Sequence, residues 1–235
     1  MKGNFYILLL FALLFQACGT EDTQPDEVVV QNEELQEEIQ AQEIQTGFIQ
    51  TLKKTGHIIS YDENGTHINN ESSKDDGYYQ VGIAPRYTRA SDIVTDAITN
   101  LMWQDNSDIN TTTKQWQTTT NYDICKSDRN ASACNDTTGD TATTFCSNMS
   151  LGGYQDWRLP TIVELESIVD YSKHTPVLDE EYFKYSVKNL FDYTWSSSTH
   201  AFGKEWAWVI DFSRGQEDYA YKSDSRYFRC VRKSN

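Results

Sequence analysis

This chain is short of the residues that most catalytic and metal sites need. Its 235 residues include four His, at positions 57, 67, 174 and 200. They show no His-Glu-x-x-His spacing, and no Cys-x-x-Cys pair accompanies them, so no metal is expected. Neither a Gly-x-Ser-x-Gly elbow nor a phosphate loop occurs. Glu164 and Glu166 lie two apart on a helical run and do not face each other as an acid–base pair. An enzyme and a cofactor are therefore not expected. Positive charge is short as well: 20 Lys and Arg face 35 Asp and Glu, a net charge of −15. A field of that sign repels phosphate backbones, which excludes nucleic acid as a partner. With 12 Gly and no Gly-x-y period there is no collagen segment. The single long apolar run, 11 residues from Phe5 to Phe15, is too short to span a bilayer as a stable helix.

That run has a different meaning. Lys2 precedes it and Leu14-Phe15-Gln16-Ala17-Cys18 closes it. A small residue before Cys after an apolar stretch is similar to a bacterial lipobox, in which Cys18 is acylated and becomes the mature N-terminus. The alternative, an ordinary signal peptide, leaves an odd thiol in an exported chain. Gly19 in place of Asp favours the outer membrane by known sorting rules. The expected location is the envelope of a Gram-negative bacterium, with the membrane as a partner through the lipid. Cys125, Cys134, Cys146 and Cys230 remain, and four cysteines allow three disulfide connectivities. Cys125 and Cys134 bracket a polar loop and favour local pairing, which leaves Cys146 for Cys230. Closing so long a loop contributes about 4 to 5 kcal/mol in the chain-entropy model.

The organisation follows composition. Residues 1–17 are the signal peptide and 18–54 an acidic tether, partly helical around its Glu/Gln-rich stretch at 32–45. Residues 55–86 form a small β-hairpin extension with an Asn64-Gly65 turn. In it Asp75-Asp76-Gly77 reads as a turn and Tyr78–Ile83 as a strand. No further oxygen ligands follow at calcium-loop spacing. The compact domain, 87–235, is α+β: short strands around 93–96, 101–104, 193–198, 205–212 and 227–232, and helices at 141–149 and 161–171. Residues 111–134 read as a polar insertion around Trp116. Fourteen Tyr and six Trp suit half-buried strands. The turn Gly152–Thr161 leads into a capping box, Thr161 with Glu164. It holds Asp156, Trp157 and Arg158 as an internal clamp, Trp157 filling the junction and the two charges satisfying backbone or each other.

Thr88-Arg89, Ile93–Asp96, Thr99–Asp105, Cys146, Leu151–Thr161 with Glu164-Leu165, Trp195–Ser197, Ala207-Trp208 and Arg229–Arg232 occur in an order that resembles the Lcl C-terminal-domain family. That family takes its name from a bacterial collagen-like adhesin. The resemblance covers roughly Tyr87 to Arg232. It implies a C-type-lectin-like fold, two helices packed on short antiparallel strands with long loops, distantly shared with formylglycine-generating enzymes. The even cysteine count argues against their chemistry, which needs free thiols. The resemblance also implies attachment to sulfated polysaccharide, a carry-over weakened by the negative charge. From Gly203 onward, however, Lys204, Arg214, Lys222, Arg226, Arg229, Arg232 and Lys233 outnumber the acids, so a local basic and aromatic face is expected.

Within it Trp206, Tyr219, Tyr221, Lys222 and Arg226 are the candidate ligand-binding residues, with Trp208 turned into the core. A calcium-dependent sugar site lacks support: Gln24-Pro25-Asp26 lies in the tether and no Trp-Asn-Asp triplet exists. Asn64, Asn110 and Asn130 fit a bacterial N-glycan acceptor pattern in expected loops. The leading expectation is a lipid-anchored envelope protein whose lectin-like domain binds polysaccharide or a surface protein. The alternative is a structural or assembly lipoprotein that docks to another envelope protein.

Overall fold

The computed structural model describes residues 52–68 and 74–234. Cys18, the signal segment and the Glu/Gln-rich stretch lie outside them. Among the described residues no helix is long and apolar enough to cross a membrane. The fold mixes short helices with small antiparallel sheets. Strands β1 (Ser60–Tyr61) and β2 (His67–Ile68) form the first hairpin. Its turn is fastened by Asp62, whose carboxylate accepts from the amides of Asn64 and Thr66. The following segment is a correction: Asp76–Tyr79 forms a one-turn helix, α1, not a strand. Asp75 caps it by accepting from the Tyr78 amide, and Gly77 packs where a Cβ would collide with the Ile59 carbonyl.

The principal sheet contains β3 (Tyr87–Ala90), β4 (Ile93–Asp96), β5 (Leu101–Gln104) and the C-terminal β11 (Val231–Lys233), in the order β11-β5-β4-β3. A second sheet of β7 (Thr194–Thr199), β8 (Trp206–Asp211) and β9 (Gln216–Tyr221) runs in the order β7-β8-β9. Strands β6 (Lys114–Gln115) and β10 (Ser225–Arg226) pair separately. Helix α2 spans Asp108–Thr111, α3 Thr119–Ser127, α4 Ala142–Asn148 and α5 Ile162–Glu166. Helix α3 lies in the supposed polar insertion. Thr118 caps it, and its Tyr122 and Cys125 are buried.

The capping box on α5 forms as the spacing predicts, with Thr161 and Glu164 reciprocally bonded. That helix stops at Glu166 instead of reaching Tyr171. Past it the Ile168 and Val169 amides make tighter bonds to Leu165 and Glu166, and the Asp170 amide leaves the ladder for Val177 at 2.9 Å. The Tyr171 amide then donates to Thr55 at 2.8 Å, while the Ser167 carbonyl accepts from the Lys53 ammonium at 2.6 Å. Segments on either side in sequence therefore take up the bonds that would have extended the helix. Lys53 also pairs with the buried Asp96 at 2.9 Å.

Two apolar clusters fill the interior. One joins Val94, Trp103, Leu165, Ile168, Leu178, Phe183, Ile210 and Val231. The other joins Trp157, Leu159, Trp195, Ala207, Val209 and Phe228 around Cys146 and Cys230. Cysteines bond as Cys125–Cys134 and Cys146–Cys230, with Cα separations of 4.6 and 5.5 Å. Trp157 is 2% exposed and belongs to the second cluster. Its charged neighbours do not pair with each other. Asp156 meets Arg232 at 2.6 Å, and Arg158 meets Glu164 at 2.8 Å. The backbone of Arg158 exchanges two hydrogen bonds with Val231, so this turn is stitched to β11.

Beside that seam lies a fully buried carboxylate, Asp105. It receives Arg229 at 3.0 Å, Arg89, and the amides of Lys184 and Tyr185 at 2.8 and 3.2 Å. Burial pulls the Arg229 guanidinium below its ordinary pKa. Removing one partner of such a group strands the others without solvent. Asp105→Ala is expected to lower the urea-unfolding free energy of the oxidised protein by about 3 to 5 kcal/mol. Lys188→Ala, which breaks an exposed pair with Glu180, is expected to cost less than about 1 kcal/mol. Equal losses would show that the buried centre is not critical.

Candidate functional site

Strands β8 and β9 pair so that Trp206 stands opposite Tyr221 and Trp208 opposite Tyr219. Side chains alternate across a strand. Ala207, Val209 and Ala220 point into the core, which puts both Trp and both Tyr on the other side. Trp208 is therefore not a core residue. Residues two apart share a face, so Trp206 and Trp208 go outward together. Both are half-buried, and Tyr219 and Tyr221 are each 48% exposed.

The β7–β8 loop adds two more rings. The His200 amide donates to the Trp206 carbonyl and the Trp206 amide to Gly203, which folds the loop back onto β8. This brings the His200 ring to 4.8 Å from Trp208 and 4.6 Å from Tyr219. Phe202, 76% exposed, lies parallel to Trp206 with centroids 5.9 Å apart and an interplanar angle of 11°. From α3, Tyr122 meets Tyr221 edge-on at 6.1 Å. The result is a contiguous aromatic surface.

Of the predicted ligand residues, the structure brings Trp206, Tyr219 and Tyr221 together and removes the two cations. Lys222 has the strand parity of Ala220 and turns inward. It is fully buried, donates to the Cys134 carbonyl at 3.2 Å and Thr199 Oγ1 at 2.9 Å, and lies 3.8 Å above the Trp116 ring. Arg226 pairs with Asp224 at 2.9 Å and stacks on Tyr193, whose hydroxyl donates to Asp218. Asp218 alternates with Tyr219, so Arg226 belongs to the opposite side of β9.

Most of the remaining C-terminal cations are occupied too: Arg214 pairs with Asp211, Arg229 with Asp105 and Arg232 with Asp156. Lys233 stays exposed, but on β11 beside a groove lined by Ile98 and Val163. The expected basic face does not form, because the fold ties up or separates its cations. Lys204 alone stays exposed beside the aromatic surface, without an ion pair among the described residues. Asn64, Asn110 and Asn130 are exposed, although Asn110 lies on α2 and not in a loop.

Among the described residues no three His, Cys, Asp or Glu side chains come together to hold a metal. An open groove of about 640 Å³ between Ile98, Val163 and Lys233 has one carboxylate, Glu164, already paired with Arg158. Sequence reasoning missed Trp208, His200, Phe202 and Tyr122. Strand alternation was signal enough for Trp208 and against Lys222. Nothing local places the other three.

Residues 92–232, more than half of the chain, match the family model described as the Lcl C-terminal domain. No curated protein and no solved structure matches the chain.

Burial without a directly bonded carboxylate pulls the Lys222 ammonium down to about 8. In the unfolded chain the same group titrates near its ordinary 10.5. Between those values the unfolded state binds more protons, so stability rises with pH. Urea unfolding is expected to show that rise from about pH 8 to 9.5 in the wild type, and a smaller one in Lys222→Met. Parallel pH profiles for the two proteins would refute the assignment.

Proposed function

This chain belongs to the Lcl C-terminal domain family, and on that premise we propose that it is a lipid-anchored envelope protein that binds a surface polysaccharide through the aromatic face of β8 and β9. One observation carries the reading: Phe202, Trp206, Trp208, Tyr219 and Tyr221 keep their rings at the surface beside one side of a sheet whose other side packs Ala207, Val209 and Ala220 into the core. Burying a large apolar side chain contributes roughly 1.5 to 3 kcal/mol, so a face that leaves several of them wet is one that a partner covers. Pyranose rings present flat patches of C–H groups, and aromatic faces, being electron-rich, receive them well.

The proposal includes a C-type-lectin-like arrangement of the helices and strands. It also includes acylation at Cys18 and retention at the outer membrane. From Cys18 to Leu52 the chain has 34 positions. At about 3.3 Å per residue, these allow the domain to stand up to roughly 110 Å from the bilayer. The membrane, through the lipid, and a polysaccharide are thus the partners, with no role for nucleic acid or catalysis.

Two measurements test this. On a glycan array the purified domain is expected to bind. Trp206→Ala and Trp208→Ala are expected to weaken that binding at least tenfold while circular dichroism stays unchanged. Absence of glycan binding together with cross-linking of this face to an envelope protein would replace the reading with a docking one. In cells, Cys18→Ser is expected to abolish palmitate incorporation and move the protein to the soluble fraction. Retention in the membrane fraction would exclude the anchor.

A further inference from the structure

The loop that carries Phe202 is closed by a histidine. The His200 amide donates to the Trp206 carbonyl at 2.9 Å and the Trp206 amide to the Gly203 carbonyl at 3.1 Å, which folds residues 200–206 back onto β8. Within that fold the Phe202 amide donates to Nδ1 of His200 at 3.3 Å. A ring nitrogen that accepts carries no proton, so the imidazole making this bond is neutral, with its proton on Nε2. The same half-buried ring packs against Trp208 at 4.8 Å, Tyr219 at 4.6 Å and Trp206 at 5.9 Å between centroids. One imidazole therefore contacts three rings of the aromatic face and holds the backbone of a fourth. Phe202 is mostly exposed, so packing does little to keep it parallel to Trp206, and its backbone bond matters the more.

Resting on the polysaccharide reading of this face, we propose that His200 is a positioning residue for ligand binding and makes that binding pH-dependent: neutral His200 holds Phe202 beside Trp206, and protonation releases it. An imidazolium donates from both nitrogens. Its Nδ1–H then faces the Phe202 N–H, a donor stands where the acceptor was, and the bond is lost. The ring itself keeps its place, because a cation is held well against the faces of Trp208 and Tyr219. The change falls on the loop and not on the sheet. Around the ring, β8 presents Trp206 and Trp208, which carry no charge, and β9 presents Tyr219, a phenol that stays protonated at neutral and acidic pH. On the loop itself Glu205 has the inward parity of Ala207 and is paired with Arg129, while exposed Lys204 adds a positive charge. The sign follows from the acceptor. The bond is made above the range in which imidazoles change charge, about pH 5 to 8, and is lost as pH falls through it. A face without a fixed Phe202 offers a sugar one ring fewer, so binding weakens in acid.

The experiment compares wild type, His200→Asn and His200→Phe at about pH 8 and about pH 5, the two ends of the imidazole range. Asn keeps an oxygen acceptor two residues before the Phe202 amide, as in an Asx turn, and does not titrate. Phe keeps an aromatic ring but has no acceptor. The first readout needs no ligand: nuclear Overhauser contacts between the Phe202 and Trp206 rings. Wild type is expected to show them at the higher pH and lose them at the lower, His200→Asn to show them at both, and His200→Phe at neither. Contacts that persist in wild type at the lower pH, or in His200→Phe, overturn the proposal. The second readout is titration of the strongest glycan-array hit. Wild type is expected to bind it about three- to tenfold more weakly at the lower pH, the scale of one neutral hydrogen bond. Both variants are expected to bind independently of pH, His200→Asn at the wild-type level of the higher pH and His200→Phe more weakly. A pH dependence shared by wild type and His200→Asn overturns the proposal. If the ring contacts switch as expected and no glycan binds, the His200 switch stands and the polysaccharide reading alone is overturned.

Discussion

The buried Asp105 carboxylate is the constraint on which the arrangement depends. It stands just past the end of β5 and gathers Arg89 from β3, Arg229 from the segment entering β11, and the amides of Lys184 and Tyr185 from a long loop. Four stretches of chain far apart in sequence share one negative charge. Each donor is satisfied only when the others are in place, because a charge out of water tolerates no missing partner. The same segment is held again by Gln104, which accepts from the Cys230 amide at 3.1 Å, and by the Cys146–Cys230 bond. Arg232, one strand position further from the cystine than Val231, reaches back to Asp156 across the Tyr154 ring.

This fastening fixes the inner side of the second sheet; on its outer side Ile210 is covered by the first cluster, and the stretch from Trp206 to Trp208 is left at the surface. Trp195 on β7 donates through its backbone to Tyr227, and Ser197 to Pro160, so the sheet is tied to the clamp turn and to the C-terminal segment. Ala207, Val209 and Ala220 then pack inward. Trp206, Trp208, Tyr219 and Tyr221 are driven outward by alternation alone. The same fastening uses up the cations. Arg229 and Arg232 are structural, and Lys222 and Arg226 are drawn to the packed side, so the exposed face is aromatic.

Much was legible in the sequence, where the cause is local. The Thr161–Glu164 capping box, the β4–β5 hairpin, the buried Trp157 and the mixed helix and strand content follow from spacing and residue type. Local reasoning failed where distant groups compete for the same backbone. Helix α5 ends where the Asp170 amide turns to Val177 and the Tyr171 amide to Thr55, more than a hundred residues upstream. The strand expected at Tyr78 becomes α1 because Asp75 caps it and Gly77 rests on Ile59. Helix α3 was hidden in a polar stretch whose burial comes from Cys134 and the second sheet. Strand parity sends Trp208 outward and Lys222 inward, the reverse of the expectation for each.

Residue order alone determined the family, since its Trp-containing motifs lie in sequence and need no partner to be recognised. It also determined which side of β8 and β9 each residue takes, since a pleated strand offers two sides and nothing else. Tertiary structure decided which charges remain available. Whether a lysine or arginine is a ligand group or a structural one depends on the carboxylates and carbonyls that folding brings beside it. It also decided that His200, Phe202 and Tyr122 join the aromatic face, because loop closure and helix packing, not local sequence, bring those rings there.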